Sequence, residues 1–504
     1  MTVAPRPRSQ ISGLGWSGAH LVVSRLSTVA AVPLILTQLG DAVYTAWVLA
    51  GTVVMAQGLV DLGMGAATIR YVALAKVAGA RHAVGSVLRR SLVFYIGLSV
   101  LVGGLLVALR GPLVGAVPAL DEPAAAGDAR RLVVYAAVAF ALTSLVAVGA
   151  AALQGLDRVA EAYRARTIGW LVYAPVLAAS LAAGAGVDAL GLAWLAAYGC
   201  QAALVALALP AALRVTGTHG DVRVSNRDLL ALGTSWQVSS WADFASLQLP
   251  RIAAGLTLSA PAVVQLDLAL RAGQIAVAPF FALLPLVLPA ASREWGAGGS
   301  KRLAVAAARW DRAFSSLLVL AAAASLPLLA PAIAIWSSRE LQDVNMALVT
   351  LVLLGTVAHT RTGLMTSVLL AAGDVRPIIG YKVFQLLLAL ALVPVGAALG
   401  LVELGVAVAI AMTLPSARFM RRARNRLAGD ARARDGVGRI GASAAALSVP
   451  GLAVALAAPG DASPLGVLAV VGAAVLAGAS IALPLSRLRS TLDQVELRAQ
   501  GPVA

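Results

Sequence analysis

The sequence predicts an all-α polytopic membrane protein with about 14 transmembrane helices, because apolar, charge-poor runs long enough to cross a bilayer recur between residues 14 and 486. A second observation is composition. Of the 504 residues, 60% are hydrophobic and 12% charged, with mean hydropathy +0.87, too few polar groups to cover soluble domains. The third is that the alternating segments a membrane barrel would need, roughly ten residues each, are missing. Backbone amides without water partners then force every span to be helical. One cysteine, Cys200, excludes a disulfide framework and every multi-cysteine metal site, and the four histidines are scattered, so no metal or cofactor is expected.

Span one covers 14–38. Its lead carries Arg6 and Arg8 without a small-residue cleavage site, which predicts a retained helix rather than a signal peptide. Arg25 sits near the middle of this span, beside Ser17, Ser24, Ser27 and Thr28 at helical spacing. A guanidinium there offers a donor fork matched to phosphate oxygens; an ion pair with an acid on another helix is the alternative. Span two, 43–66, places Gln57 and Asp61 on one face, for helix capping or for a coupling ion. Spans three to six cover 91–109, 132–153, 166–184 and 189–212.

Span seven, 230–256, is the most polar, with Trp236, Gln237, Trp241, Asp243, Ser246, Gln248 and Arg251. Pro250 lacks an amide donor and frees the carbonyl of Ser246, which predicts a bend. Such a helix suits the wall of a cavity; alternatively Asp243 and Arg251 neutralise each other. Span eight, 262–291, carries Asp267 and Arg271 one turn apart, where they can pair, together with Pro279, Pro285 and Pro289. Span nine covers 313–336. Span ten, 345–371, lines up Thr356, His359, Thr360, Gly363 and Ser367, with Arg361 to the side. His359 is a coupling candidate or hydrogen-bonded filler. Spans eleven and twelve cover 379–398 and 401–417. An arginine-rich stretch, 418–439, separates them from 440–458 and 465–486.

Placing the N-terminus in the cytoplasm puts most of the 39 Lys and Arg residues on cytoplasmic segments and leaves Arg110, Arg130, Arg131 and Arg339 outside. This is the positive-inside asymmetry. The net charge of +16 then reads as attraction to anionic membrane lipids, not to nucleic acid. The longest outside segment, 110–131, is too short for a catalytic domain, and no Gly-x-x-x-x-Gly-Lys-Ser/Thr motif occurs. Neither an enzyme nor an ATP-driven pump is expected.

The chain echoes itself at an offset of about 220 residues, with Gly155-x-x-Arg158 after span four and Gly373-x-x-Arg376 after span ten. The expected organisation is a six-helix lobe over 1–215, a second over 216–425, and two further helices with a cytoplasmic tail over 426–504.

Several of these segments resemble a known family. They are Ser24-Arg25, Leu39-Gly40 to Tyr44, Asp61-Leu62-Gly63-Met64-Gly65 followed by Arg70-Tyr71, Leu153 to Arg158, and Arg251 to Arg293. Together, over roughly residues 12–425, they resemble the Wzx-type oligosaccharide flippases of the multidrug/oligosaccharidyl-lipid/polysaccharide exporter superfamily. The resemblance implies two lobes around a cavity, alternating access, and movement of a polyprenyl-diphosphate-linked oligosaccharide between leaflets of the bacterial plasma membrane without ATP. It implies cationic contacts to the diphosphate at Arg25 and Arg251, with other polysaccharide-assembly proteins as partners. Pro250 stands where family members carry an acid, and Asp243 is the substitute.

The expected cavity residues are therefore Arg25, Trp236, Trp241, Gln248, Arg251 and Arg361. Candidate coupling residues are Asp61, Asp243 and His359. A cation-coupled multidrug exporter of the same superfamily is the main alternative. A membrane-embedded glycan polymerase or glycosyltransferase is the alternative from another class.

Overall fold

A computed structural model describes residues 7–213 and 226–428; for 7–11, 14, 81 and 226–236 the description covers the backbone alone. The spans expected at 440–458 and 465–486 lie outside the described residues. The chain forms α1 (Pro7–Met55), α2 (Gln57–Val60), α3 (Met64–Val77), α4 (Arg81–Ala108), α5 (Arg110–Gly115), α6 (Pro123–Gly155), α7 (Val159–Ala182) and α8 (Asp188–Ala212). It continues through α9 (Asn226–Leu247), α10 (Leu249–Thr257), α11 (Ala260–Ser337), α12 (Met346–Ala371), α13 (Arg376–Leu399) and α14 (Leu401–Ala428). Among the described residues all regular structure is helical, and nine helices are long and apolar enough to cross a membrane.

Two of the nine are double. Gly40, with φ 77°, interrupts α1 between the first and second expected spans. Gly298 and Gly299, the latter with φ 59°, divide the 78 residues of α11 into helices over 260–297 and 300–337. Glycine is favoured at such left-handed positions because it carries no Cβ. Taking α9 and α10 as one bent span, each of the first twelve expected spans falls on a described helix.

Two boundaries differ from expectation. The second span does not run to residue 66: the chain turns at Asp61, Leu62 (φ 48°) and Gly63 (φ 69°) before α3 begins. Asp61 accepts the Gly65 amide at 3.3 Å and the Tyr95 hydroxyl, and these bonds hold the turn. Residues 292–312, which lie between the expected spans eight and nine, are helical on both sides of Gly298–Gly299. Lys and Arg in this stretch are good helix formers, and only the glycine pair interrupts them.

By contact pattern the chain forms two compact units, Met1–Asp267 with Ile379–Ala411, and Leu268–Ile378 with Met412 onward. In the first, α6 packs against α8, α4, α1 and α3, and α7 against α8 and α1. Small residues allow the close approach that stands in for a hydrophobic drive between helices in lipid. A Cβ at Gly155 would lie 2.7 Å from the Ile69 carbonyl, and one at Gly169 would lie 2.6 Å from that of Ala197. Trp170 meets Tyr173 and Tyr198 edge-on at 5.3 and 6.0 Å, and Ser27 donates to the Trp170 carbonyl at 2.8 Å. On the outside, Val100, Leu207 and Leu399 are at least 70% exposed, as side chains facing lipid tails are.

In the second unit the halves of α11 meet through Phe280 and Phe314, edge-on at 5.6 Å. The first half also packs against α12, where Leu284 fills the space beside Gly363.

The ends of α6 and α12, sites of the two Gly-x-x-Arg motifs, are closed by the same cap. Arg158 N–H donates to the Leu153 carbonyl and Asp157 N–H to that of Gln154; Asp374 donates to Leu369 and Gly373 to Leu370. These are paired Schellman bonds, and the left-handed residues are Asp157 (φ 61°) and Gly373 (φ 74°). The structural match is thus shifted by two residues from the motif match, because Gly155 serves packing and not the turn. Each cap acid is paired: Asp157 with Lys76 at 2.8 Å and Asp374 with Arg426.

Candidate functional site

The polar residues of span seven gather in the first unit. The expected bend is present: α9 ends at Leu247, Gln248 is the hinge (φ −107°, ψ −35°), and Pro250 opens α10. At the break, the carbonyl of Leu247 accepts Arg251 Nη1. Arg251 Nε donates to Asp267 Oδ1 at 2.6 Å, and Asp267 Oδ2 accepts the Tyr44 hydroxyl at 2.5 Å. The side chains of Arg251 and Asp267 are 7% and 0% exposed. Tyr44 in turn packs on Trp47, with ring centres 5.4 Å apart. In place of the alternative in which Asp243 and Arg251 neutralise each other, Arg251 pairs with Asp267, because the break turns α10 and its guanidinium toward the start of α11. Asp267, four residues before Arg271, also takes the Arg251 guanidinium and the Tyr44 hydroxyl.

Asp243 pairs with Lys382 of α13 at 2.5 Å, and Gln385 Nε2 donates to Ser246 Oγ at 2.8 Å. Lys382 and Gln385 lie near the start of the expected span eleven, 379–398, where the sequence assigns them no role. Their spacing carried the signal, since Lys382 and Gln385 are three residues apart, as are Asp243 and Ser246. Two helices with that matched spacing align both pairs. Lys382 is only 8% exposed, so it belongs to the interior.

The other face of α9 grips the break in the second span. Gln237 Nε2 donates to the carbonyls of Leu59 (2.7 Å) and Gly58 (3.2 Å), and Trp241 Nε1 donates to that of Leu59 (2.8 Å). These carbonyls have no continuing helix to serve as partner, so the side chains take that place. Trp241, expected in the cavity, spends its N–H here while the residue stays 37% exposed. The Trp236 side chain lies outside the described residues.

Arg25 is an exposed position of α1, and the neighbouring Ser24 and Thr28 hydroxyls donate back to carbonyls of their own helix. The remaining expected residues lie in the second unit. His359 is half-buried in α12. Arg361 Nε donates to Ser315 Oγ at 2.6 Å and faces Asp311 at 3.7 Å; Asp311 also holds Arg424. Among the described residues no three His, Cys, Asp or Glu side chains converge as a metal site would require.

Chemically, the first unit offers three embedded carboxylates, Asp61, Asp243 and Asp267, each held by a proton donor or a cation. Such a group can exchange its internal partner for an external cation, which is what coupling to an ion gradient needs.

No family model and no curated protein matches the chain. Solved structures do. An inward-facing multidrug resistance MATE family transporter of the MOP superfamily superposes with TM-score 0.61 at 16% identity, covering 80% of this chain and 98% of its own. The outward-facing conformation of such a transporter gives 0.56 at 18%, covering 84% and 96%. A MOP superfamily transporter from Pyrococcus furiosus, described as having a binding pocket of reverse polarity, gives 0.57 at 18%, covering 83% and 95%. The chain thus has the fold of the MATE transporters of the MOP superfamily, the wider group to which the resemblance in its sequence pointed.

Proposed function

We propose that this protein is a membrane transporter of the MOP superfamily that works by alternating access, and that it exports amphiphilic small molecules in exchange for a cation. The single observation that carries this reading is the set of embedded acids in the first unit. An ionisable group at bilayer depth carries an insertion penalty of about 2.5–3.5 kcal/mol, so each needs a partner, and a partner that can be exchanged for an external cation supports coupling. Asp243, beside Lys382 and 44% exposed at its side chain, is the acid best placed to exchange. The fold is shared with transporters described as multidrug resistance proteins, in both inward- and outward-facing forms, which supports a two-state carrier.

Gradient-driven efflux of a cationic dye from proteoliposomes tests the reading. Coupling free energies of about 1–3 kcal/mol correspond to roughly 5- to 150-fold effects. Asp243→Asn is expected to lower efflux at least tenfold while dye binding persists. Wild-type efflux unaffected by collapsing both proton and sodium gradients would overturn the coupled reading.

A second reading, the flipping of a polyprenyl-diphosphate-linked oligosaccharide in a bacterial plasma membrane, is favoured by the exposed Arg25 of α1 within the Ser24-Arg25 segment that resembles the oligosaccharide flippases. Reconstitution with a fluorescent lipid-linked sugar separates the two: leaflet exchange without dye efflux selects the second.

A further inference from the structure

One acid of the second unit serves two cations. Asp311, 4% exposed at its side chain, sits in the second half of α11 and receives two guanidinium groups. Arg424 of α14 approaches Oδ2 through both Nε, at 2.9 Å, and Nη2. Arg361 of α12 directs Nε at Ser315 Oγ, 2.6 Å away, and at Asp311 Oδ1, 3.7 Å away. One carboxylate balances one guanidinium, so the cluster keeps an excess positive charge.

This excess charge is compensated from outside the cluster, on a face where both guanidinium groups reach solvent. The orientation of Arg361 shows by what. Its inner edge is spent on Ser315 and Asp311, while its two terminal nitrogens, the ends of a planar donor fork, make no hydrogen bond among the described residues. The side chain is 31% exposed, and that of Arg424 is 44% exposed. A fork of this kind matches the oxygens of a tetrahedral phosphate. On the same helix as Arg424, Arg421 and Arg422 are also exposed, so the approach is lined with positive charge.

We propose that Arg361 and Arg424, positioned by Asp311 and Ser315, form a phosphate-binding site in the second unit. The ligand is a phosphate group, carried by an anionic lipid headgroup or free in solution. Asp311 holds the two guanidinium groups apart and in register when the site is empty, and competes with the incoming anion.

The test measures binding, independently of transport, on the full chain in a neutral detergent. Thermal unfolding is followed while phosphatidylglycerol, phosphatidylcholine or inorganic phosphate is titrated in. Wild-type protein is expected to be stabilised by phosphatidylglycerol and not by phosphatidylcholine. Stabilisation by inorganic phosphate as well assigns the phosphate alone as the ligand; its absence assigns the lipid headgroup. Arg361→Gln is expected to weaken the response at least tenfold in midpoint concentration, and Asp311→Asn to strengthen it by removing the competing carboxylate. A purely structural triad would lower the unfolding temperature in both variants and leave the phosphate midpoint unchanged. That result, or a wild-type protein indifferent to both phosphate sources, would overturn the site. Should Asp311→Asn fail to fold, Arg424→Gln replaces it, with a weakened response expected.

Discussion

Arg251→Ala is expected to destabilise the folded protein by roughly 3–5 kcal/mol, the penalty for leaving one partner of a buried ion pair without the other. Asp267 has no exposure to water, and the Tyr44 hydroxyl, a neutral donor, does not replace the lost guanidinium. The same substitution also removes the donor to the Leu247 carbonyl at the α9–α10 break, so the bend loses its brace as well. Removing both charges, as Arg251→Met with Asp267→Leu, is expected to recover most of the loss, because two apolar side chains need no desolvation. Thermal unfolding in detergent of the single and double variants reads the difference. Equal melting of Arg251→Ala and wild type would mean that the pair contributes nothing.

Gly155→Val is expected to have the next largest effect, about 1–3 kcal/mol from overpacking. The new Cβ would stand 2.7 Å from the Ile69 carbonyl oxygen and 2.8 Å from Val72 Cβ. A backbone atom cannot rotate aside, so α3 and α6 must separate. Gly373→Ala isolates a different physical cause. Nothing crowds that Cβ, and the penalty of about 1–2 kcal/mol comes from the left-handed backbone alone. Gly373→Asn is expected to restore part of it, since asparagine tolerates that conformation. Comparing the unfolding temperatures of the three variants checks the assignment; a Gly155→Val protein as stable as wild type would refute it.

These two glycines also mark where the sequence was legible and where it was not. Helix positions followed from hydropathy because a bilayer leaves the backbone no alternative, and the bend at Pro250 followed from a missing donor. Both are local causes. The cap shared by α6 and α12 was visible only as a motif, since Gly-x-x-Arg does not say which residue takes the left-handed turn. An aspartate does so in one copy and a glycine in the other. Charge pairing was the least legible layer. Asp243 and Arg251 lie on one helix and looked like partners, yet each found its counter-ion on another element, Lys382 and Asp267. Spacing along one helix cannot reveal which neighbour packs against it. Lys382 was overlooked because a lysine near a span end has an easy alternative in snorkelling to water.

The double-glycine interruption of α11 has a practical use. Residues 292, 293 and 295–298 are exposed, and the helical path breaks at Gly298–Gly299 between 260–297 and 300–337. Entropy of chain closure grows slowly with added length, so a small fluorescent domain or an epitope spliced between Gly298 and Gly299 should leave both halves intact. Such a graft would give optical access to a protein whose remaining surface is largely sequestered by lipid.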